Sequence, residues 1–382
     1  MYDFIVIGSG LAGSIIAERI ANVSHKKVLI IEKKDHVGGN VYDYVDNNGI
    51  LIHKYGPHIF HTDNKKVWDY ISCFTDWNLY QHKVLGYVDG NLIPIPFNLN
   101  SMKRVFPKFV YNKLEKKLYE EFGFNIKVPI LKLKESNDAD LKFLAIYVYE
   151  KIFLNYTLKQ WGVKPEDIDH SVTGRVPVYI SRDDRYFQDK YQGVPKNGYT
   201  QTILNILNHK NIKVILNTNM KDVIKINSEK IFFMNEEFNG KLIYTGMIDE
   251  FFDYKYGELP YISLKFDFVY QKEEKFQDVG TINYPNDYDF TRITEFKHIT
   301  GQDIFGTTCI YEYPGMYNKN SKEFNIPYYP VFKQENQHLY NKYSEETKKL
   351  KNVFMLGRLA EYKYYDMDDI IERSLNFFEL IK

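Results

Sequence analysis

"DFIVIGSGLAGSIIAERIANVSHKKVLIIEKKDHVGGN", residues 3–40, decides the fold of this chain. Phe4 to Ile7 is a short apolar run that reads as a buried strand. Gly8, Gly10 and Gly13 follow as GxGxxG, and Leu11, Ile15, Ile16 and Ile20 then recur at helical spacing. Val28 to Ile31 is a second strand, closed by Glu32. Each part has a physical task. Gly8 permits the turn, Gly10 lets a pyrophosphate approach the backbone, Gly13 lets helix and strand pack closely, and the helix N-terminus attracts phosphate charge. Glu32, nineteen residues past Gly13, is placed to accept from a ribose hydroxyl. A lone GxGxxG is weak; strand, helix, second strand and acid in this order predict a dinucleotide site.

The stretch that follows separates the possible dinucleotides. "EKKDHVGGN" carries a second close-approach turn at Gly38-Gly39, an arrangement similar to the FAD-binding branch that includes amine oxidases and desaturases. Near the other end, "NVFMLGRLAEYKYYDMDDIIERSLNFFELI" gives an apolar strand from Val353 to Leu356, Gly357, a loop, and a helix from about Asp368 with Ile370, Ile371, Leu375 and Phe378 on one face. In that branch such a segment closes over the flavin; taken alone it is an ordinary C-terminal helix.

At 382 residues the chain exceeds one ordinary core and predicts two or three domains. Its 50 basic and 50 acidic residues cancel, which argues against a general nucleic-acid binder. Cys73 and Cys309 lie far apart without CxxC, so neither a disulfide framework nor a thiolate metal cluster is expected, which fits a reducing compartment. "MYDFIVIGSG" enters a strand without a basic leader, and no run of about 18 apolar residues exists. The expectation is a cytoplasmic protein with no transmembrane segment.

From Ser101 to Trp161 the pattern is mostly helical. Leu141, Leu144, Ala145, Val148, Tyr149, Ile152, Phe153 and Tyr156 form an amphipathic face that ends near "KQWG". The Pro-, Gly- and charge-rich segment that follows, "VKPEDIDHSVTGRVPVYISRDDRYFQDKYQGVPKNGYT", has the length and irregularity of a functional lid. "IKVILNT" and "KLIYTG" read as strands returning to the first domain, and "YISLKFDFVY" suits a sheet. The fold expected is α/β: a Rossmann-like FAD-binding domain (1–79, 194–241 and 343–382), a helical insert (98–170), and a mainly antiparallel sheet domain with a mobile loop (80–97, 171–193 and 242–342).

"KYGPHIFHT", "YTLKQWG", "GRVPV", "RYFQDKYQGVPKNGYT", "TRITEF", "PYYPV" and "GRLAEYKYYDM" together resemble the UDP-galactopyranose mutase family, over nearly the whole length. The resemblance implies an isomerase that interconverts pyranose and furanose forms of a nucleotide-linked galactose, feeding cell-surface polysaccharide, with no net oxidation. It uses reduced FAD, whose N5 attacks the anomeric carbon and releases UDP. An internal nucleophile splits one hard step into easier ones, and the protein supplies orientation and electrostatics. Two arginines are implied as a diphosphate clamp, Arg175 in "GRVPV" and Arg292 in "TRI", with hydroxyls from Tyr186, Tyr329 and Tyr364. Tyr156 would stack the uracil beside Thr157 and Trp161; Asn283, Arg358 and Asp366 would meet the substrate. Implied at the cofactor are Gly8, Gly10, Leu11, Ala12, Gly13, Glu32, Lys33, Gly39, Asn40, His58, Ile59, Arg358, Tyr364, Asp366 and Met367. Asp366 could equally bond the helix that follows it. A homodimer is also implied.

"HKYGPHIFHT", residues 53–62, places three histidines around Gly56-Pro57. They lack carboxylate or cysteine companions at ligand spacing, so no metal is expected. By resemblance this loop passes beside the flavin, where Gly56-Pro57-His58 would let a carbonyl accept from the reduced ring, with His58 as a catalytic residue and His53 and His61 structural. Two positions depart from the family's usual pattern: His82 stands where an asparagine is common, and Ile152-Phe153 replaces a Phe pair. Both put substrate identity in question, so a mutase for another nucleotide sugar (N-acetylated, deoxy or heptose) stands as the alternative. An FAD oxidase and a non-catalytic escort protein are further rivals.

Overall fold

The computed structural model of the chain describes residues 2–162, 177–227 and 230–382. Strand β1 (Phe4–Ile7), helix α1 (Leu11–Val23) and strand β2 (Val28–Ile31) occupy the positions expected from the glycine motif. β1 and β2 lie at the centre of a five-stranded parallel sheet with Ile212–Ile215 beside β2, and Lys241–Tyr244 then Val353–Met355 beside β1. Both faces of this sheet are covered, which is why its strands are apolar throughout instead of alternating. Val6, Ile30 and Ile243 pack under α1 and the helices Gly198–Leu207 and Met367–Ile381. Ile5, Leu29 and Leu242 face the other way, against Ile224 and Ile231 of a small antiparallel sheet.

The second large sheet has seven strands and is antiparallel except where Thr281–Asn283 runs parallel to Val84–Val88. Its register places Gly86, Asn283, Arg292 and Glu312 side by side across four strands. Pairing thus brings together residues that the sequence scatters over more than 200 positions. The helical insert holds Leu99–Val105, Lys108–Phe122 and a long helix that starts at Ala139 and stops at Trp161, where Gly162 takes a left-handed φ of 68°. Its middle, Tyr149–Leu154, is wound as a π-helix. Such wider turns recur at functional sites because they re-aim side chains.

The architecture is a Rossmann-like FAD-binding domain with a helical insert and a mainly antiparallel sheet domain. Two boundaries placed from the sequence fall inside strands: 193/194 within Tyr191–Pro195, and 241/242 within Lys241–Tyr244. Apolar runs announce that a strand exists but do not mark where neighbouring backbone stops pairing with it. The last helix likewise begins at Met367, slightly before the expected start.

Candidate active site

The carboxyl ends of β1 and β2 open onto a cavity of about 260 Å³, the place where open parallel sheets bind ligands. α1 begins at Gly10 without a side-chain cap and without an acid in its first turn, so its terminal N–H groups are left for an anion. Gly39, at φ 56°, crosses Gly10 so closely that a Cβ on it would come within 2.9 Å of the Gly10 Cα. A Cβ on Gly13 would sit 2.0 Å from the Gly8 carbonyl oxygen, so this third glycine serves packing and not the cavity. Glu32 is buried at the cavity wall and accepts from Ser9 N (2.8 Å), Ser9 Oγ (2.9 Å) and Lys34 N (2.9 Å). Leu11, Ala12, Lys33 and Asn40 line the same cavity. So do Lys34, Met220, Thr245 and Gly357, which motif spacing does not single out because they come from other strand ends and loops.

A second cavity, of about 600 Å³, meets the first; Asn40, His58, Tyr328, Arg358, Asp366 and Met367 border both. Ile59 and Tyr364, which the resemblance assigned to the cofactor, border the larger cavity. The long helix contributes Ile152, Phe153, Tyr156, Thr157 and Trp161 to the larger cavity. It is tied to the sheet by Lys159, whose Nζ donates to Tyr284 O at 2.7 Å. Trp161, Tyr329 and Tyr364 form an aromatic wall: Trp161 and Tyr329 are 5.9 Å apart, and Tyr329 and Tyr364 are stacked at 5.7 Å. The Arg358 guanidinium lies 5.1 Å and 5.3 Å from the Tyr329 and Tyr364 ring centres and donates to the carbonyls of Tyr328 and Tyr365. Tyr186 lies close to His82, donating its backbone N–H to the His82 carbonyl at 2.8 Å.

Arg292 is the polar centre of this cavity. Its Nη2 donates to Glu312 Oε1 at 2.8 Å, and Glu312 is only 2% exposed, so the guanidinium is fixed from behind. Burial opposes its charge, but Glu312 and Tyr156 outweigh that and hold its pKa above the ordinary arginine value. Arg292 Nε, Asn283 Oδ1 and Gln160 Oε1 are buried without protein partners, and all three residues line the cavity. Buried polar groups are rarely left unpaired, so this trio fits a polar ligand. Glu312 and Gln160 were not singled out from the sequence; the one signal was an acid flanked by the apolar and aromatic residues Ile310, Tyr311 and Tyr313 within the strand Thr307–Met316. Asp366 caps the helix Met367–Ile381, its amide donating to Asp369 Oδ2 at 3.0 Å, and also borders both cavities. Arg175 lies outside the described residues.

The three histidines of 53–62 separate cleanly. His53 is fully buried on the strand Leu51–His53. Its Nδ1 accepts the His58 backbone N–H at 2.9 Å. The His58 Nδ1 lies 2.7 Å from the Gly56 carbonyl, which can only accept, so that nitrogen carries the proton. The two neighbours are therefore opposite tautomers, and His58, which borders both cavities, carries an unprotonated Nε2. Burial, with His53 and Arg358 nearby, pushes the His58 pKa down to about 3, so it is a neutral acceptor and not an acid at neutral pH. His61 stacks on Phe187 at 3.6 Å, with Nδ1 3.3 Å from Asp189. Among the described residues no group of His, Cys, Asp and Glu could hold a metal.

His82 is buried in the cavity wall, with Nδ1 3.1 Å from the Tyr80 hydroxyl. Burial first, then Arg292 and His61, push its pKa down to about 3. A folded-state pKa below the unfolded value of about 6.5 means that the unfolded chain takes the proton first. Stability from this group is complete above that pH and is lost as pH falls toward 3. His82→Asn should therefore lose stability less steeply than the parent chain between pH 6 and 4.5, by about 1.4 kcal/mol per pH unit. Urea unfolding of both chains across that window checks it, and parallel curves would count against a neutral buried ring.

Fold and site together define a dinucleotide-dependent enzyme with a polar substrate cavity set against the cofactor. The UDP-galactopyranose mutase family matches residues 151–364, and an NAD(P)-binding Rossmann-like domain matches residues 6–74. The UDP-galactopyranose mutase of Mycoplasma genitalium is 36% identical over 379 residues, covering 98% of this chain and 93% of that protein. The dTDP-fucopyranose mutase of Escherichia coli is 34% identical over 382 residues, covering 100% and 98%. A crystal structure of reduced UDP-galactopyranose mutase superimposes with a TM-score of 0.73 at 16% identity, covering 100% and 94%. The chain belongs to the UDP-galactopyranose mutase family and is an isomerase of that family. Among the described residues no helix is long and apolar enough to cross a membrane.

Proposed function

We propose that this chain interconverts UDP-galactopyranose and UDP-galactofuranose using FAD kept reduced, with no net redox change. The observation that carries this reading is the meeting of the two cavities at His58, Arg358 and Asp366, beside a guanidinium with an unused Nε. The residues present fit FAD: an uncapped helix start, two glycines in contact, and a buried acid at the end of β2. When bound, reduced FAD supplies an electron-rich nucleophile for the anomeric carbon. The protein does the rest. Arg292, braced by Glu312, takes up the charge gathered on the departing diphosphate, with Arg175 as its proposed partner. Tyr186, Tyr329 and Tyr364 donate to the same phosphates. Tyr156, Thr157 and Trp161 hold the base, while Asn283, Arg358 and Asp366 orient the sugar. His58, neutral, stands at the junction as an acceptor and not as a general acid.

A second reading within the same chemistry is a different nucleotide sugar. It is favoured by His82 and Ile152 in the cavity wall and by the similarly close fucopyranose mutase relative. Chromatography of purified protein with UDP-galactofuranose, with and without dithionite, tests both. Conversion to the pyranose only after reduction is expected. A reduced protein that leaves this sugar untouched but converts a dTDP-deoxy sugar selects the second reading, and substrate-dependent oxygen uptake overturns both. A cytoplasmic homodimer supplying cell-surface polysaccharide, built from the three domains outlined above, completes the proposal.

A further inference from the structure

The turn Gly56-Pro57-His58 borders the larger cavity, with His58 also bordering the dinucleotide cavity, yet the turn has little of its own to hold it. Gly56 sits at φ 92°, in the left-handed region that favours glycine, and Pro57 has no N–H to anchor. Phe266 presses on Gly56 from one side, where a Cβ would meet it at 3.1 Å. The His58 side chain folds back onto the Gly56 carbonyl, which closes the turn on itself without tying it to the rest of the fold. The remaining tether is the His58 backbone N–H, and it goes to a side chain: His53 Nδ1, at 2.9 Å.

The His53 ring is built to stay in place. It is 0% exposed and has Tyr199 at 5.5 Å, edge on, and Phe296 at 5.3 Å. The strand that carries it pairs residue for residue with Asp43–Val45, and His53 lies opposite Asp43. The Asp43 carboxylate accepts from the backbone of Tyr199 (2.5 Å) and Thr200 (2.8 Å), so the ring's neighbours are pinned as well. An acceptor at Nδ1 forces the proton onto Nε2 of the neutral ring, and Nε2 is buried without a partner. A buried donor is left unpaired while the other nitrogen holds the loop. That is a costly arrangement for a residue with a purely space-filling role.

We propose that His53 is a positioning residue, whose neutral Nδ1 holds the His58 amide and so sets the Gly56-Pro57-His58 turn against the reduced flavin. This rests on the cofactor reading given above and adds to it the residue that fixes the loop. The ring touches neither cavity, so its effect passes through the turn, and it belongs in the flavin's redox poise.

Two holoenzyme variants test it. His53→Leu removes the acceptor, and His53→Asn restores one, because an asparagine Oδ1 falls near the place of Nδ1. Both alter packing and both should lower thermal stability. In anaerobic titration the two-electron midpoint of bound flavin should fall in His53→Leu by about 30 mV, a tenfold loss of the reduced form, and stay with the parent in His53→Asn. Unchanged potentials in both variants, or equal shifts in both, overturn the proposal. If His53→Leu does not fold, the ¹⁵N spectrum of the parent imidazoles decides: protonated Nε2 with bare Nδ1 at residue 53 sustains it, and the reverse tautomer overturns it. A parent protein that holds flavin yet leaves the nucleotide sugar untouched overturns the catalytic reading alone, and the potential difference between the variants still decides the role of His53.

Discussion

Replacing Arg292 with alanine should lower kcat/KM for the nucleotide sugar on the order of 10²- to 10³-fold, the usual cost of removing one preorganised donor to a developing charge. The expectation follows from position and not from charge alone. Arg292 lies between Asn283 and Glu312 in the register of the large sheet, and Glu312 pins one end of its fork while Nε stays unused. Two further variants separate catalysis from folding. Arg292→Ala leaves the buried Glu312 carboxylate without its cation, which by itself costs about 3–5 kcal/mol of stability. Arg292→Ala with Glu312→Gln should recover much of that stability and none of the activity. Arg292→Lys keeps a positive charge but loses the planar fork, and should recover only part of the rate. Steady-state kinetics and thermal melts on the four proteins measure both effects. A parent-like rate in Arg292→Ala would sink the diphosphate clamp.

How much of this could be seen in the chain beforehand depends on how local each requirement is. The dinucleotide half was legible because glycine spacing, strand, helix and acid all lie within residues 3–40, and each backbone demand falls on the residue that meets it. The aromatic wall and Arg292 were reachable only through long motifs, since an isolated Tyr or Arg in so aromatic and charged a chain carries no message. Glu312 and Gln160 were missed for a physical reason: their significance arises from strand pairing and helix docking, which join segments far apart in sequence. The π-wound turn at Tyr149–Leu154 was invisible for a related reason. Apolar spacing of three and four residues is shared by α- and π-wound segments over so short a span. Asp366, for which two readings competed, caps the helix that follows it and also borders both cavities.

Gly10 and Gly13 stand three residues apart in one motif, and alanine at the two positions should produce opposite defects. At Gly13 the new Cβ would lie 2.0 Å from the Gly8 carbonyl oxygen and 3.3 Å from Val6 Cγ1. The first of these is backbone, so α1 must lift from β1. Alanine gains about 1 kcal/mol over glycine inside a helix, but overpacking of this kind costs about 3 kcal/mol or more, so the clash wins and the apoprotein melts several degrees lower. At Gly10 the backbone is at φ −70° and ψ −174°, which alanine accepts, and the nearest atom to its Cβ is the Gly39 Cα at 3.8 Å. The apoprotein should lose no more than a small capping contribution. What Gly10→Ala does change is the floor of the cavity at the uncapped start of α1, where a pyrophosphate must reach the N–H groups. Flavin affinity should fall about 100-fold, or about 2.7 kcal/mol, and the variant should purify pale while its apoprotein melts near the parent apoprotein. Apoprotein melts and the flavin absorbance per chain after reconstitution measure the two defects separately. If Gly10→Ala holds flavin as tightly as the parent, the cofactor does not lie against α1, and the order of roles within GxGxxG proposed for this chain is wrong.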